Sequence, residues 1–68
     1  MSNPTYRLTE VVGTSDGSID EAIANGLEKA SETLHNLDWF EVAEVRGALA
    51  DGAISQIQVT MKIGFRVD

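Results

Sequence analysis

The sequence predicts a single α+β domain over residues 1–68, a β-α-β-β chain whose three strands form an antiparallel sheet in the order 1-3-2 with one helix on a face. Three observations predict it. Ile57, Val59, Met61, Ile63, Phe65 and Val67 alternate with Gln56, Gln58, Thr60, Lys62, Gly64 and Arg66, the pattern of a long half-buried strand. Ile19, Ala22, Ile23, Leu27, Ala30, Leu34 and Leu37 instead recur at helical spacing. Between two strand-like runs lies Ala50-Asp51-Gly52-Ala53, and Asp-Gly favours a two-residue type I′ hairpin.

The elements follow in order. Thr5 to Thr14, with Val11 and Val12 at its heart, reads as the first strand. Ser15-Asp16-Gly17 is a turn, and Ser18-Ile19-Asp20-Glu21 fits a capping box, with Glu21 reaching back to the Ser18 N–H. Asp20 and Glu21 suit the positive end of the helix dipole. The helix is expected to run to about His35, with Glu28, Lys29 and Glu32 off its apolar stripe. Gly26 inside it costs about 1 kcal/mol relative to alanine, so its place beside that stripe suggests close approach of a strand. Trp39 to Gly47 is the second strand, and the alternating run is the third. A strand, a return helix and another strand leave the first two strands parallel, so the third can sit between them.

Bulk properties narrow the function. Sixty-eight residues make a domain near the size at which one core barely outweighs chain entropy. There is no cysteine and only one histidine, so neither disulfides nor a zinc cluster can staple it. Oligomerisation is the remaining common remedy. A formal net charge of −6 argues against a general nucleic-acid binder. Met1-Ser2-Asn3-Pro4 has no basic leader and no apolar run approaches membrane-spanning length, so a cytoplasmic protein is expected.

The hairpin sets an expected register. Pairing Ala50 with Ala53 puts Val45 opposite Gln58, Arg46 opposite Ile57, Glu41 opposite Lys62 and Trp39 opposite Gly64. Phe40 and Val42 then share the core face with Ile63 and Met61. The other face would carry Trp39, Ala43, Val45, Gly47, Gln58 and Thr60, too mixed for a core and too apolar for water.

Trp39, the chain's only tryptophan, is the first candidate site residue. A large aromatic on the non-core face needs a cover, either a subunit for which it is the anchor or a flat ligand that stacks on it. From residue type alone the anchor is the simpler of the two. Gln58 is the second candidate, because an amide can both donate to and accept from a ligand edge; Gln56 shares its face, and solvated strand glutamines are the plain alternative. Gln58 pairs about six residues along from Trp39, roughly 20 Å at strand rise, so one chain cannot bring both to a small ligand. A two-fold axis laying this face on its copy could. Arg46 falls on the core side by alternation, near the hairpin tip. It is either a snorkelling side chain or an anion contact. His35 reads as a helix-end residue, and Glu41 and Glu44 are expected on opposite faces. No catalytic triad, phosphate loop or metal spacing is present, so the chain does not read as an enzyme.

Several segments together carry a resemblance: Gly13-Thr14-Ser15, Leu37-Asp38-Trp39-Phe40-Glu41-Val42, Arg46-Gly47, and Gln58 through Arg66. In their order and spacing they resemble the dodecins, closely the bacterial branch, nearly end to end. The resemblance implies a sheet wrapped around the helix and a hollow homododecamer with cubic symmetry. It also implies flavins stacked in pairs between two tryptophans at two-fold axes, for storage and photoprotection. By position, Trp39 is then the stacking tryptophan and Gln58 the residue that hydrogen-bonds the ring edge. Arg46 matches an arginine near the ligand. FMN is the expected flavin, with riboflavin and FAD as alternatives, and some bacterial relatives also bind coenzyme A. The other readings are a flavin-dependent oxidoreductase and a purely structural assembly.

Overall fold

The computed structural model describes residues 3–67; Met1 and Ser2 of the segment read above for a leader lie outside the described residues. Four elements follow one another: β1 (Thr5–Ser15), α1 (Ile19–Ser31), β2 (Leu37–Ala50) and β3 (Ala53–Val67). The sheet is antiparallel throughout in the order β1-β3-β2, as the sequence predicts. The alternating segment is therefore the central strand. Val59, Met61 and Ile63 on its inner face are fully buried, and Ala22 and Ala30 of α1 pack nearby. Asp51 and Gly52 both have positive φ, 53° and 79°, as a type I′ turn demands.

The start of α1 is built differently from a capping box. Ser18 Oγ does accept from the Glu21 N–H at 3.0 Å. The Glu21 carboxylate, however, accepts from the Ser15 hydroxyl rather than reaching back to Ser18. Ser15 Oγ in turn accepts from the N–H groups of Gly17 at 2.8 Å and Ser18 at 3.3 Å. Ser15 is buried, and the last residue of β1 thus stitches the turn to the helix. At the other end α1 stops at Ser31, four residues short of His35. The chain tightens there into i→i+3 bonds, Glu32 to Lys29 and Thr33 to Ala30, and Asn36 takes φ 61° before β2 begins. His35 lies in the connection and is not a helix-end residue.

The helix sits on β1 and β3, and it does so at glycine. A Cβ on Gly13 would lie 2.0 Å from the Ala22 carbonyl oxygen, and one on Gly26 would lie 2.7 Å from Met61 Cε and 3.0 Å from Gly13 Cα. Gly26 is where the expected close approach occurs. β2 receives little of the helix: Phe40, Val42 and Val45 on its inner face are 43%, 42% and 47% exposed, and Leu49 and Ile54 at the tip are each 69% exposed. Gly13→Ala strikes backbone, whereas Gly26→Ala first meets the flexible end of Met61 and recovers about 1 kcal/mol of helix propensity. Gly13→Ala is thus expected to lower stability to urea by about 3 kcal/mol or more, and Gly26→Ala by clearly less. Equal losses would show that this contact does not set the helix position.

Candidate functional site

From Trp39 to Ala50 the β2–β3 hairpin keeps the expected register at both ends and loses it in the middle, and beyond Trp39 the pairing shifts again, Leu37 with Phe65. Ala50 pairs with Ala53, and Trp39, Phe40, Glu41 and Val42 pair with Gly64, Ile63, Lys62 and Met61. Between them the pairing is Glu44 with Thr60, Val45 with Val59, Arg46 with Gln58 and Gly47 with Ile57. Two bulges cause this. Ser55 is the extra residue on β3 opposite Ala48 and Leu49, and Ala43 is the extra residue on β2 between Val42 and Glu44. The Ser55 hydroxyl caps its bulge by donating to the Ala48 carbonyl at 3.2 Å.

A one-residue slip turns every side chain over, so the segment between the bulges presents the face opposite to that expected. Val45 and Gly47 belong to the inner face. Arg46 leaves the core side and stands on the outer face beside Gln58. Glu44 joins Glu41 on that outer face instead of opposing it. The physical reason is plain: unbroken alternation would have pointed Glu44 and Arg46 inward on the same side as Phe40 and Val42. The sequence held the signal, since the apolar phase changes from even positions at Phe40 and Val42 to odd at Val45.

On the outer face the structure gathers a polar cluster. Arg46 Nε donates to Gln58 Oε1 at 2.6 Å, and Arg46 Nη1 donates to Glu44 Oε1 at 3.1 Å. Gln58 Nε2 donates to Gln56 Oε1 at 2.8 Å. Glu41 and Lys62 face each other as expected, while Lys29–Glu32 at 3.8 Å and Arg46–Glu44 at 3.1 Å form ion pairs. No cluster of described residues could hold a metal ion.

Trp39 lies at the far end of the same face. Its indole covers Gly64 so closely that a Cβ there would sit 2.3 Å from ring atoms Cε2 and Cζ2. The residue is nonetheless 43% exposed. Six β3 residues separate the Gly64 and Gln58 pairings, roughly 20 Å, so within one chain Arg46 and Gln58 come together and Trp39 stands apart.

Tyr6 is a site residue that sequence reasoning missed. Its ring meets Trp39 edge-on, with centroids 4.8 Å apart and planes at 62°. A hydrogen bond with Asp38 raises its pKa, helped by desolvation and the Asp38 charge and opposed by Arg66. Nothing in the sequence pointed here, because α1 and all of β2 separate β1 from β3 in the chain and no turn fixes their register.

The family model described as Dodecin matches residues 5–68. A curated dodecin from Thermus thermophilus is 41% identical over 63 residues, 93% of this chain and 91% of its own length. The solved dodecin from Streptomyces davaonensis superposes with a TM-score of 0.94 at 66% identity, covering 98% of each chain. That from Streptomyces coelicolor gives 0.94 at 54% identity, covering 100% of this chain and 97% of the other. A β-α-β-β chain with one helix on a 1-3-2 sheet, matched over nearly its whole length, belongs to the dodecin family.

Two outcomes test this geometry. Gly64→Ala must displace the indole, so the near-ultraviolet dichroism of Trp39 should change and stability should fall by about 1–3 kcal/mol; an unaltered spectrum would mean the ring does not lie over Gly64. Tyr6 is the chain's only tyrosine, so its ionisation can be read alone. Because its folded pKa is raised above 10.0, the stability it contributes is present below that pH and lost as pH rises through the higher folded value. Phenolate absorbance should therefore appear above pH 10.0, and Asp38→Asn should bring it back toward that value. Equal midpoints in the two proteins would exclude the Asp38 contact.

Proposed function

We propose that this chain is a flavin-binding storage and photoprotective protein, not a catalyst, and that it assembles as a homododecamer with FMN as its flavin. The single observation that carries this is a partly exposed indole held against Gly64 on the uncovered face of the sheet. Such a ring offers a π platform to a planar heteroaromatic, and Gly64 leaves its position free of competing side chains. Family membership supplies the ligand class. Gln58 supports it as well, since an amide can match the mixed donor and acceptor edge of an isoalloxazine.

Trp39 and Gln58 are too far apart in one chain, so the site is formed where a second copy lays the same face against this one. The Gln58 of one subunit then stands beside the Trp39 of its partner, and two tryptophans close one pocket. Phe40, Val42 and Val45, exposed on the helix side of the sheet, and Leu49 and Ile54 at the hairpin tip give the other contacts of such an assembly apolar surface to bury. Bound against an electron-rich indole, an excited flavin is quenched by rapid electron transfer, which limits photochemical damage. Arg46, on the ligand face rather than the core side, acts on that pocket through its hydrogen bond to Gln58.

Titrating FMN with the purified protein should quench its fluorescence strongly and saturate near one flavin per chain. Trp39→Ala should weaken binding by about 1–3 kcal/mol, by analogy with base–aromatic stacking, while light scattering shows the assembly intact. Undiminished emission with excess protein, or full affinity in the variant, would contradict the reading. Steady turnover of a reduced nicotinamide with an electron acceptor would instead make it an oxidoreductase.

A further inference from the structure

The hydrogen bonds on the outer face run in one direction. Arg46 donates to Gln58, and Gln58 donates to Gln56. The two ends of an amide are nearly alike in shape, so its orientation is decided by its neighbours. Gln56 cannot decide it, because its own amide can turn to offer either end. Arg46 can, because a guanidinium only donates. A reversed Gln58 would set its NH₂ against the Arg46 Nε–H, two donors with no acceptor between them. Glu44 holds the other arm of the guanidinium at 3.1 Å, leaving Nε facing Gln58.

We infer that Arg46 is a positioning residue that fixes the direction of the Gln58 amide, with Gln56 turned to accept from its far end, and that it thereby sets one placement of the flavin ring on Trp39. The inference rests on the flavin reading above. With one bond committed at each end, Gln58 keeps one lone pair on Oε1 and one N–H on Nε2. A flavin's pyrimidine edge carries an imide N–H between two carbonyls. With the amide direction set, Oε1 takes the imide N–H and Nε2 reaches the carbonyl on one side only. A reversed amide would reach the other carbonyl, and would require the ring to slide sideways across the indole. The bulge at Ala43 makes this control possible, since it is what brings Arg46 to the outer face.

Two double variants with equal net charge separate direction from charge. Arg46→Lys with Gln56→Glu keeps a donor at one end and an acceptor at the other. Arg46→Glu with Gln56→Lys reverses both. Uncharged riboflavin is the probe, read by fluorescence quenching, with light scattering to confirm equal assembly. The direction-keeping variant should bind within about threefold of the wild type, and the reversed one about tenfold or more weaker, the cost of a mismatched hydrogen-bonding group. Equal affinities in the two, whether both retained or both lost, would overturn the inference. If the reversed variant does not assemble, Gln56→Glu against Gln56→Lys carries the same comparison with the same expected order. Failure of the wild type itself to bind riboflavin would remove the underlying flavin reading, and the wild-type control tells that outcome apart.

Discussion

A 13-residue helix reaches about 20 Å, whereas the 15-residue strand beneath it reaches about 50 Å. The longest dimension of the molecule, 54 Å, is that of the hairpin. One helix can therefore bury only the middle of β3 and the adjoining part of β1. Met61, Ile63 and Val59 take the cover available, and the inner face of β2 goes without. The glycine contact between Gly13 and Gly26 draws the helix still closer to β1, which further separates it from β2. With no cysteine in the chain and no metal-holding cluster among the described residues, cover for that face is what the proposed assembly would supply.

The same hairpin distributes the residues of the proposed site. Two compensating bulges leave the register intact at Ala50 and at Trp39 and turn over the segment between them. The result is an inner face that stays apolar through Val45 and an outer face that gathers Glu44, Arg46 and Gln58. Without the bulges, the arginine would compete for the helix side of the sheet and Gln58 would lose the donor that orients it. Packing and chemistry are here satisfied by one local irregularity rather than by separate features.

How much of this was legible follows from how local each cause is. β3 could be read because its alternation is unbroken over its whole length, and the hairpin because Asp51-Gly52 demands a specific backbone. Strand order followed from those two and the helix between. Bulges were hidden because a type I′ turn fixes register only next to itself, and two opposite slips restore it by Trp39. The change of apolar phase at Val45 was the available clue. The helix end was overestimated because Leu34 and Leu37 continue the apolar spacing although the chain leaves the helix after Ser31; both still pack on the core from the connection and the start of β2. Tyr6 was illegible for a different reason, since its neighbour Trp39 is reached across two strand pairings and the one between β1 and β3 has no turn to fix its register.

The central claim is that Trp39 and Gln58 serve one ligand only when they come from different subunits. Subunit complementation tests this directly. Trp39→Ala and Gln58→Ala proteins, each weak in binding FMN alone, are unfolded, mixed and refolded together. An inter-subunit site predicts that the mixture regains FMN quenching, because some pairs join the intact Trp39 of one chain to the intact Gln58 of the other. A mixture that binds no better than the sum of its parts would contradict it.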